Sequence, residues 1–145
     1  MGSVVTVEEV NAFYDSVFKG SGEQERVLEV RENYARVRQP VDPGNLRPGG
    51  YINGPTQMAI ADSAAYIAIF TRIGITPMAL TSNLNINFMR KPGLGALTAE
   101  ARILKLGRSL CVGDVLIFSG GADAPVAQAS LTYAIPPRSS NIGVK

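Results

Sequence analysis

Ten residues, Asn53-Gly54-Pro55-Thr56-Gln57-Met58-Ala59-Ile60-Ala61-Asp62, carry two groups suited to acyl-transfer chemistry. The first is the start of a helix. Asn53 or Gly54 can cap it, and Pro55 suits its first turn, where a missing N–H costs nothing. Such a terminus offers unpaired backbone N–H groups and a partial positive charge, which fit it to hold a developing oxyanion. Gly54 lets a carbonyl approach closely and Pro55 has no N–H, so the donors reduce to Gly54, Thr56 and the side-chain amide of Asn53. The second group is Asp62, the single charged residue between Pro55 and Thr71. Burial on an apolar helix favours the neutral form of such a carboxyl and makes it a usable base, able to activate water or to attack an acyl carbon directly. The alternative is a structural carboxylate that accepts a hydrogen bond from Tyr66, one turn on. Gly54 and Asp62 stand eight residues apart, roughly 12 Å along a helix, too far to act on one carbonyl. If both take part they come from different copies of the chain, with two central helices antiparallel across a dimer interface.

What the chain lacks narrows the chemistry further. With no histidine, Ser-His-Asp and Cys-His catalysis and most zinc sites are excluded, and the work falls to carboxylates, amides, hydroxyls and backbone groups. No metal and no separate cofactor are expected. The one cysteine, Cys111, lies in an apolar run and reads as a small hydrophobe. A net charge of +2 with 7% aromatic residues argues against a nucleic-acid surface. The first ten residues hold no secretory leader, and the helix from Pro55 to Thr71 is too short and too interrupted to span a membrane. A cytoplasmic protein without a membrane partner is expected.

These groups need a frame. Hydrophobic content of 46% with 18% charged residues is that of a globular chain. Residues 1–137 are read as one domain and 138–145 as a loose tail. Thr6-Val7-Glu8-Glu9 forms a capping box that opens an amphipathic helix (Val7, Val10, Phe13, Tyr14, Val17, Phe18) ending near Gly20. A polar turn and one exposed strand, Arg26 to Arg38, come next. Three prolines and three glycines between Gln39 and Gly50 predict that regular structure stops there. The helix Pro55 to Thr71 is apolar nearly all round and so buried on most sides. Alternation then puts Leu80, Ser82, Leu84, Ile86 and Phe88 on one face of a strand and Thr81, Asn83, Asn85 and Asn87 on the other. Strands over 96–106, 109–118 and 125–135 follow as an antiparallel meander. The economical packing is α+β, one antiparallel sheet wrapped around one long central helix, whose open edge a second copy would cover.

At this point the chain resembles the PaaI-like branch of the hotdog-fold acyl-CoA thioesterases. That family carries His-Gly-Gly and, nine residues after the His, a catalytic acid on the following helix. Here Asn53-Gly54-Pro55 precedes Asp62 at that spacing. Asn85 to Pro92, Gly95 to Ala101 with Gly107-Arg108-Ser109, and Val126 to Tyr133 look like further family segments, so the likeness covers about Val27 to Ile135. The resemblance implies a hotdog fold, Gly54 as backbone oxyanion donor, Asp62 as nucleophile or general base across a dimer, and Thr81 as a hydroxyl that helps place the water. The family His is Asn53, the second Gly is Pro55, and an Asn found six residues before the His in several members is Arg47. An amide at Asn53 can still donate to a thioester oxygen, but it cannot shuttle a proton.

Cations at strand-end turns, Arg90, Lys91, Lys105 and Arg108, are candidates for the phosphates of coenzyme A, Arg108 foremost, and Gln57 on the first helical turn can contact substrate or finish the cap. The expected function is hydrolysis of a small or medium acyl-CoA, with coenzyme A as part of the substrate and the chain self-associating as a homodimer or a dimer of dimers. A non-catalytic binder of acyl-CoA or fatty ligands is the competing reading; a dehydratase would want a histidine.

Overall fold

The computed structural model describes residues 2–17 and 24–137, in the order α1 (Val7–Val17), β1 (Arg26–Arg31), β2 (Tyr34–Gln39), β3 (Leu46–Arg47), β4 (Tyr51–Ile52), α2 (Gly54–Ile73), β5 (Leu80–Phe88), β6 (Leu97–Leu106), β7 (Leu110–Ser119) and β8 (Ala127–Ala134). α1 opens on the expected reciprocal cap, with Glu9 N–H donating to Thr6 Oγ1 (3.1 Å) and Thr6 N–H to Glu9 Oε1 (2.9 Å). It buries Val10 and Tyr14. The expected extension through Phe18 to Gly20, and the tail after Pro137, lie outside the described residues. Asn11 ties α1 to the sheet, donating to Val27 O (3.1 Å) and accepting from Val27 N–H (3.0 Å).

The segment Arg26 to Arg38 is not one exposed strand. It is the hairpin β1–β2, with Val27, Tyr34, Ala35 and Val37 buried. Its turn has neither Gly nor Pro. Asn33 takes the left-handed conformation instead (φ 68°), which asparagine tolerates better than most residues. The end of α2 holds it there: Asn33 N–H donates to Thr71 Oγ1 (3.0 Å), and Arg72 donates to Asn33 Oδ1 (2.8 Å). Regular structure does not stop between Gln39 and Gly50 either. Asp42 caps a single 3-10 turn, Pro43–Asn45, and a miniature hairpin of β3 and β4 turns at Gly49 and Gly50, both at positive φ (98° and 83°). That hairpin delivers the chain to α2.

The six-stranded sheet has the order β1-β2-β6-β7-β8-β5, every neighbouring pair antiparallel. It wraps α2, whose Ile60, Ala64, Ile67, Ala68 and Phe70 are fully buried. This is the hotdog arrangement. α2 is not covered all round, however: Pro55, Met58 and Ala59 are exposed, and Asp62, Ser63 and Tyr66 half-buried, along one outer stripe. No helix among the described residues is long and apolar enough to cross a membrane.

β5 is an edge strand, paired with β8 on one side only. Strict alternation does not hold along it. A bulge between Thr81 and Asn83 gives the pairings Thr81↔Tyr133 and Asn83↔Thr132. The extra residue, Ser82, reverses the phase of the pleat. Thr81 therefore lies on the α2 side with Leu84, Ile86 and Phe88, not with the asparagines.

Candidate active site

The two reactive groups of α2 open into different clefts, one at each end of β5. At the Phe88 end, Asn53 has extended backbone (φ −74°, ψ 163°) and its Oδ1 accepts the Thr56 N–H at 2.8 Å. Asn53, not Gly54, is thus the cap, and the Thr56 N–H is withdrawn from the list of oxyanion donors. The Asn53 side chain borders a shallow depression with Asn45, Thr56 and Ala59, whereas Gly54 lines a neighbouring cleft of about 350 Å³. Gly54 fits closely there: a Cβ would sit 3.2 Å from the Phe88 ring, which would have to give by a few tenths of an ångström. Gln57 lines the same cleft, only 3% exposed, and its Oε1 has no hydrogen-bond partner among the described residues. A buried amide left unsatisfied is costly unless a ligand completes it.

Three cations surround this cleft, Arg47, Arg90 and Lys91. Arg90 is steadied by a 2.7 Å bond to Pro125 O, and the Lys91 ammonium lies 4.4 Å from the centre of the Tyr51 ring, drawing that phenol below its usual pKa. Arg47 entered the sequence comparison only as a departure from the family asparagine; the β3–β4 hairpin turns it into a cleft residue. Arg108 is elsewhere. It is exposed in the β6–β7 turn, next to Leu110, which pairs with Ala134, itself paired with Leu80 at the opposite end of β5.

At that opposite end Asp62 is half-buried rather than enclosed. Tyr66 is not its partner; the Tyr66 hydroxyl donates to Pro77 O (3.1 Å). Asp62 Oδ1 instead accepts from the hydroxyls of Thr81 and Tyr133, the latter at 2.5 Å, and the Tyr133 hydroxyl also lies 2.9 Å from the Asp62 carbonyl. Thr81 reaches it because of the bulge at Ser82. Tyr133, missed in the sequence, comes from β8, 71 residues away; desolvation and the bond to Asp62 push its pKa up. With both hydroxyls on Oδ1, Oδ2 is left without a partner among the described residues, and Asp62 lines a cleft of about 270 Å³ with Leu80, Thr81 and Tyr66. A carboxylate fixed on one oxygen and free on the other can receive a proton from water or attack a carbonyl.

A model of the thioesterase superfamily matches residues 49–126, the stretch from the β3–β4 hairpin through α2 to the start of β8. The chain belongs to this superfamily. A solved protein of Silicibacter sp. TM1040, named only provisionally as a thioesterase, is 38% identical, covers 93% of this chain and 94% of its own, and superposes with a TM-score of 0.83. Zebrafish thioesterase superfamily member 2, 20% identical, covers 91% of this chain and 99% of its own at a TM-score of 0.79 and shares the fold. A Pseudomonas aeruginosa protein provisionally named an esterase is 30% identical over 105 residues, 72% of either chain. Membership of the thioesterase superfamily supports a hydrolase acting on thioesters. Among the described residues no three His, Cys, Asp or Glu side chains gather as a metal centre would need.

Proposed function

We propose that this protein hydrolyses small or medium acyl-CoA thioesters, in the manner of the PaaI-like branch, at sites shared by two subunits. The observation that carries the reading is the placement of the Gly54 and Asp62 clefts at opposite ends of one edge strand, paired on one side only. β5 presents Leu80 (62% exposed), Phe88 (52%) and the adjacent Met89 (46%) on a strand edge, a surface that a second β5 running antiparallel would cover. A two-fold axis through the middle of β5 then sets the Thr81 end of one subunit against the Phe88 end of the other. Asp62 of one copy meets Gly54 of its partner.

In such a site the thioester oxygen accepts the Gly54 N–H, with the Gln57 amide beside it. Asp62 Oδ2 takes a proton from water as the resulting hydroxide adds to the carbonyl carbon, or adds to that carbon itself. In both cases the developing oxyanion rests on the helix terminus and its collapse expels the CoA thiolate. Direct attack leaves an acyl anhydride on Asp62, which a water then cleaves to release the acid and restore the carboxylate. Arg47, Arg90 and Lys91 supply positive charge for the CoA phosphates. The β6–β7 turn of the opposite subunit carries Arg108 toward the same end. A dimer of dimers would leave this arrangement intact.

Purified protein incubated with a panel of acyl-CoA esters is expected to release free thiol, and Asp62→Asn to abolish the release while melting within a few degrees of wild type. Unchanged turnover in that variant overturns the mechanism. The commitment of Asn53 Oδ1 to the helix cap favours one competing reading, a binder that kept the pocket without the chemistry. Stabilisation of the wild type by CoA esters with no thiol release would establish it.

A further inference from the structure

Ser63 and Tyr66 border the Asp62 cleft on one side and a second cavity, of about 210 Å³, on the other. Its remaining walls are Tyr14 of α1, Gln24 and Glu25 leading into β1, Gln39 at the end of β2, and Ala59. The cavity exceeds the ~150 Å³ that accommodates a benzene ring. Its two ends differ in chemistry. The exposed Ala59 and the ring of Tyr66 line it along α2, while the Glu25 carboxyl interacts with Tyr14 and Ser63. Desolvation, with Asp62 nearby, raises the Glu25 carboxyl to about 7. Near neutral pH it both donates and accepts, and hydrolysis at Asp62 makes no use of it. A buried acid with no part in the reaction has a cost that binding a polar partner would offset.

We propose that this cavity receives the acyl group and that Glu25 reads a hydroxyl, or another uncharged hydrogen-bonding group, at the group's distal end. The inference rests on the thioester-hydrolase reading. The thioester carbon stays at Asp62, and the acyl chain passes Ser63 and Tyr66 to reach Glu25. A methyl terminus leaves the Glu25 carboxyl with no new partner, and a terminal carboxylate meets a second, partly ionised carboxyl in a desolvated space. Glu25 is then a specificity-determining residue: it binds the end of the substrate remote from the bond that breaks.

The test compares acyl-CoA esters of equal length ending in methyl, hydroxyl or carboxylate, measured at neutral pH as kcat/KM. In parallel, calorimetry measures the binding of their non-hydrolysable thioether analogues. Wild type is expected to favour hydroxyl over methyl by about tenfold, the worth of one hydrogen bond to a buried group, and to disfavour carboxylate. Glu25→Leu should reverse the hydroxyl preference, and Glu25→Gln should keep part of it and relieve the carboxylate penalty. A hydroxyl-to-methyl ratio within twofold of one in wild type, or unchanged in Glu25→Leu, overturns the proposal. If Glu25→Leu does not fold, Ala59→Phe at the cavity's rim serves instead, and should lower kcat/KM for cavity-filling acyl groups at least tenfold relative to acetyl. An unchanged chain-length profile in that variant also overturns it. Absence of thiol release from every ester would sink the hydrolase reading alone, because analogue binding still decides the subsite.

Discussion

At the Phe88 end of β5 the cleft is lined by the helix start at Gly54, a buried amide and three cations, whereas at the Thr81 end it is lined by a carboxylate held by two hydroxyls. The first set is placed by the path of the main chain: a helix start, a cap and a tight hairpin. None of its geometry at Gly54 depends on a titrating group. The second set is assembled by side chains from three separate elements, α2, β5 and β8, and depends on a bulge to bring one of them in. An oxyanion donor can be built locally and is hard to lose, whereas a positioned base needs the whole sheet.

Mixing subunits probes that contrast most sharply. Gly54→Pro removes the N–H at a helix position that tolerates proline, and Asn53 already has the extended backbone that proline asks of its predecessor. Gly54→Ala, which keeps the N–H and adds the same Cβ beside Phe88, should stay active and separates the donor from the crowding. Gly54→Pro and Asp62→Asn should each be inactive alone. Co-refolded in equal amounts they should recover about a quarter of wild-type activity, because half the dimers then hold one intact site of two. Recovery absent from verified heterodimers would mean that the two ends do not cooperate.

A pH series on stability tests the polar wall behind the carboxylate. Glu25 rises from 4.5 in the free group to about 7 in the fold, so its protonated form favours the folded state. That contribution is fully present below pH 4.5 and is lost as pH rises through about 7, a loss on the order of 3 kcal/mol. Chemical denaturation should show wild type losing stability across that window and Glu25→Gln losing much less. Parallel curves would show that the carboxyl is not raised.

Tyr133→Phe keeps the ring stacked on Tyr66 (6.1 Å between centroids) and removes only the donor to Asp62. A roughly tenfold loss in kcat with KM nearly constant is expected, the scale of one charge-assisted bond. Loss in KM alone would place Tyr133 in binding rather than in positioning Asp62. At the other end, Asn53→Ala should cost about 1 kcal/mol as a lost helix cap, and Asn53→Ser should restore most of it. If Asn53→Ser regains stability but not turnover, the amide acts on substrate as well as on the helix.

The parts of this molecule that were legible in sequence are those set by neighbours along the chain. The reciprocal cap at Thr6 and Glu9, the proline-tolerant start of α2 and the meander β6–β7–β8 all rest on spacing within a few residues. The turn at Asn33 was invisible because its support comes from Thr71 and Arg72 at the far end of α2. Tyr133 was unreadable as a partner of Asp62 for the same reason, and Glu25 sat in a stretch whose polarity suggested only a turn. Asp62 itself stood out correctly as the lone acid of its helix, but with the wrong neighbours. The family resemblance set Thr81 at the site, whereas alternation grouped it with Asn83, Asn85 and Asn87, since alternation cannot reveal a bulge.

That bulge sets the frame in which β5 is read. Drawn into the ladder opposite Tyr133, Ser82 would restore strict alternation, carry Thr81 to the outer surface beside the Asn83, Asn85 and Asn87 ladder, and leave Leu84, Ile86 and Phe88 packed as they are. One unpaired residue therefore separates a strand that serves Asp62 from one that merely closes the sheet. Within such folds a one-residue slip of register at a strand end can switch a hydroxyl in or out of the reaction while the core stays unaware of it.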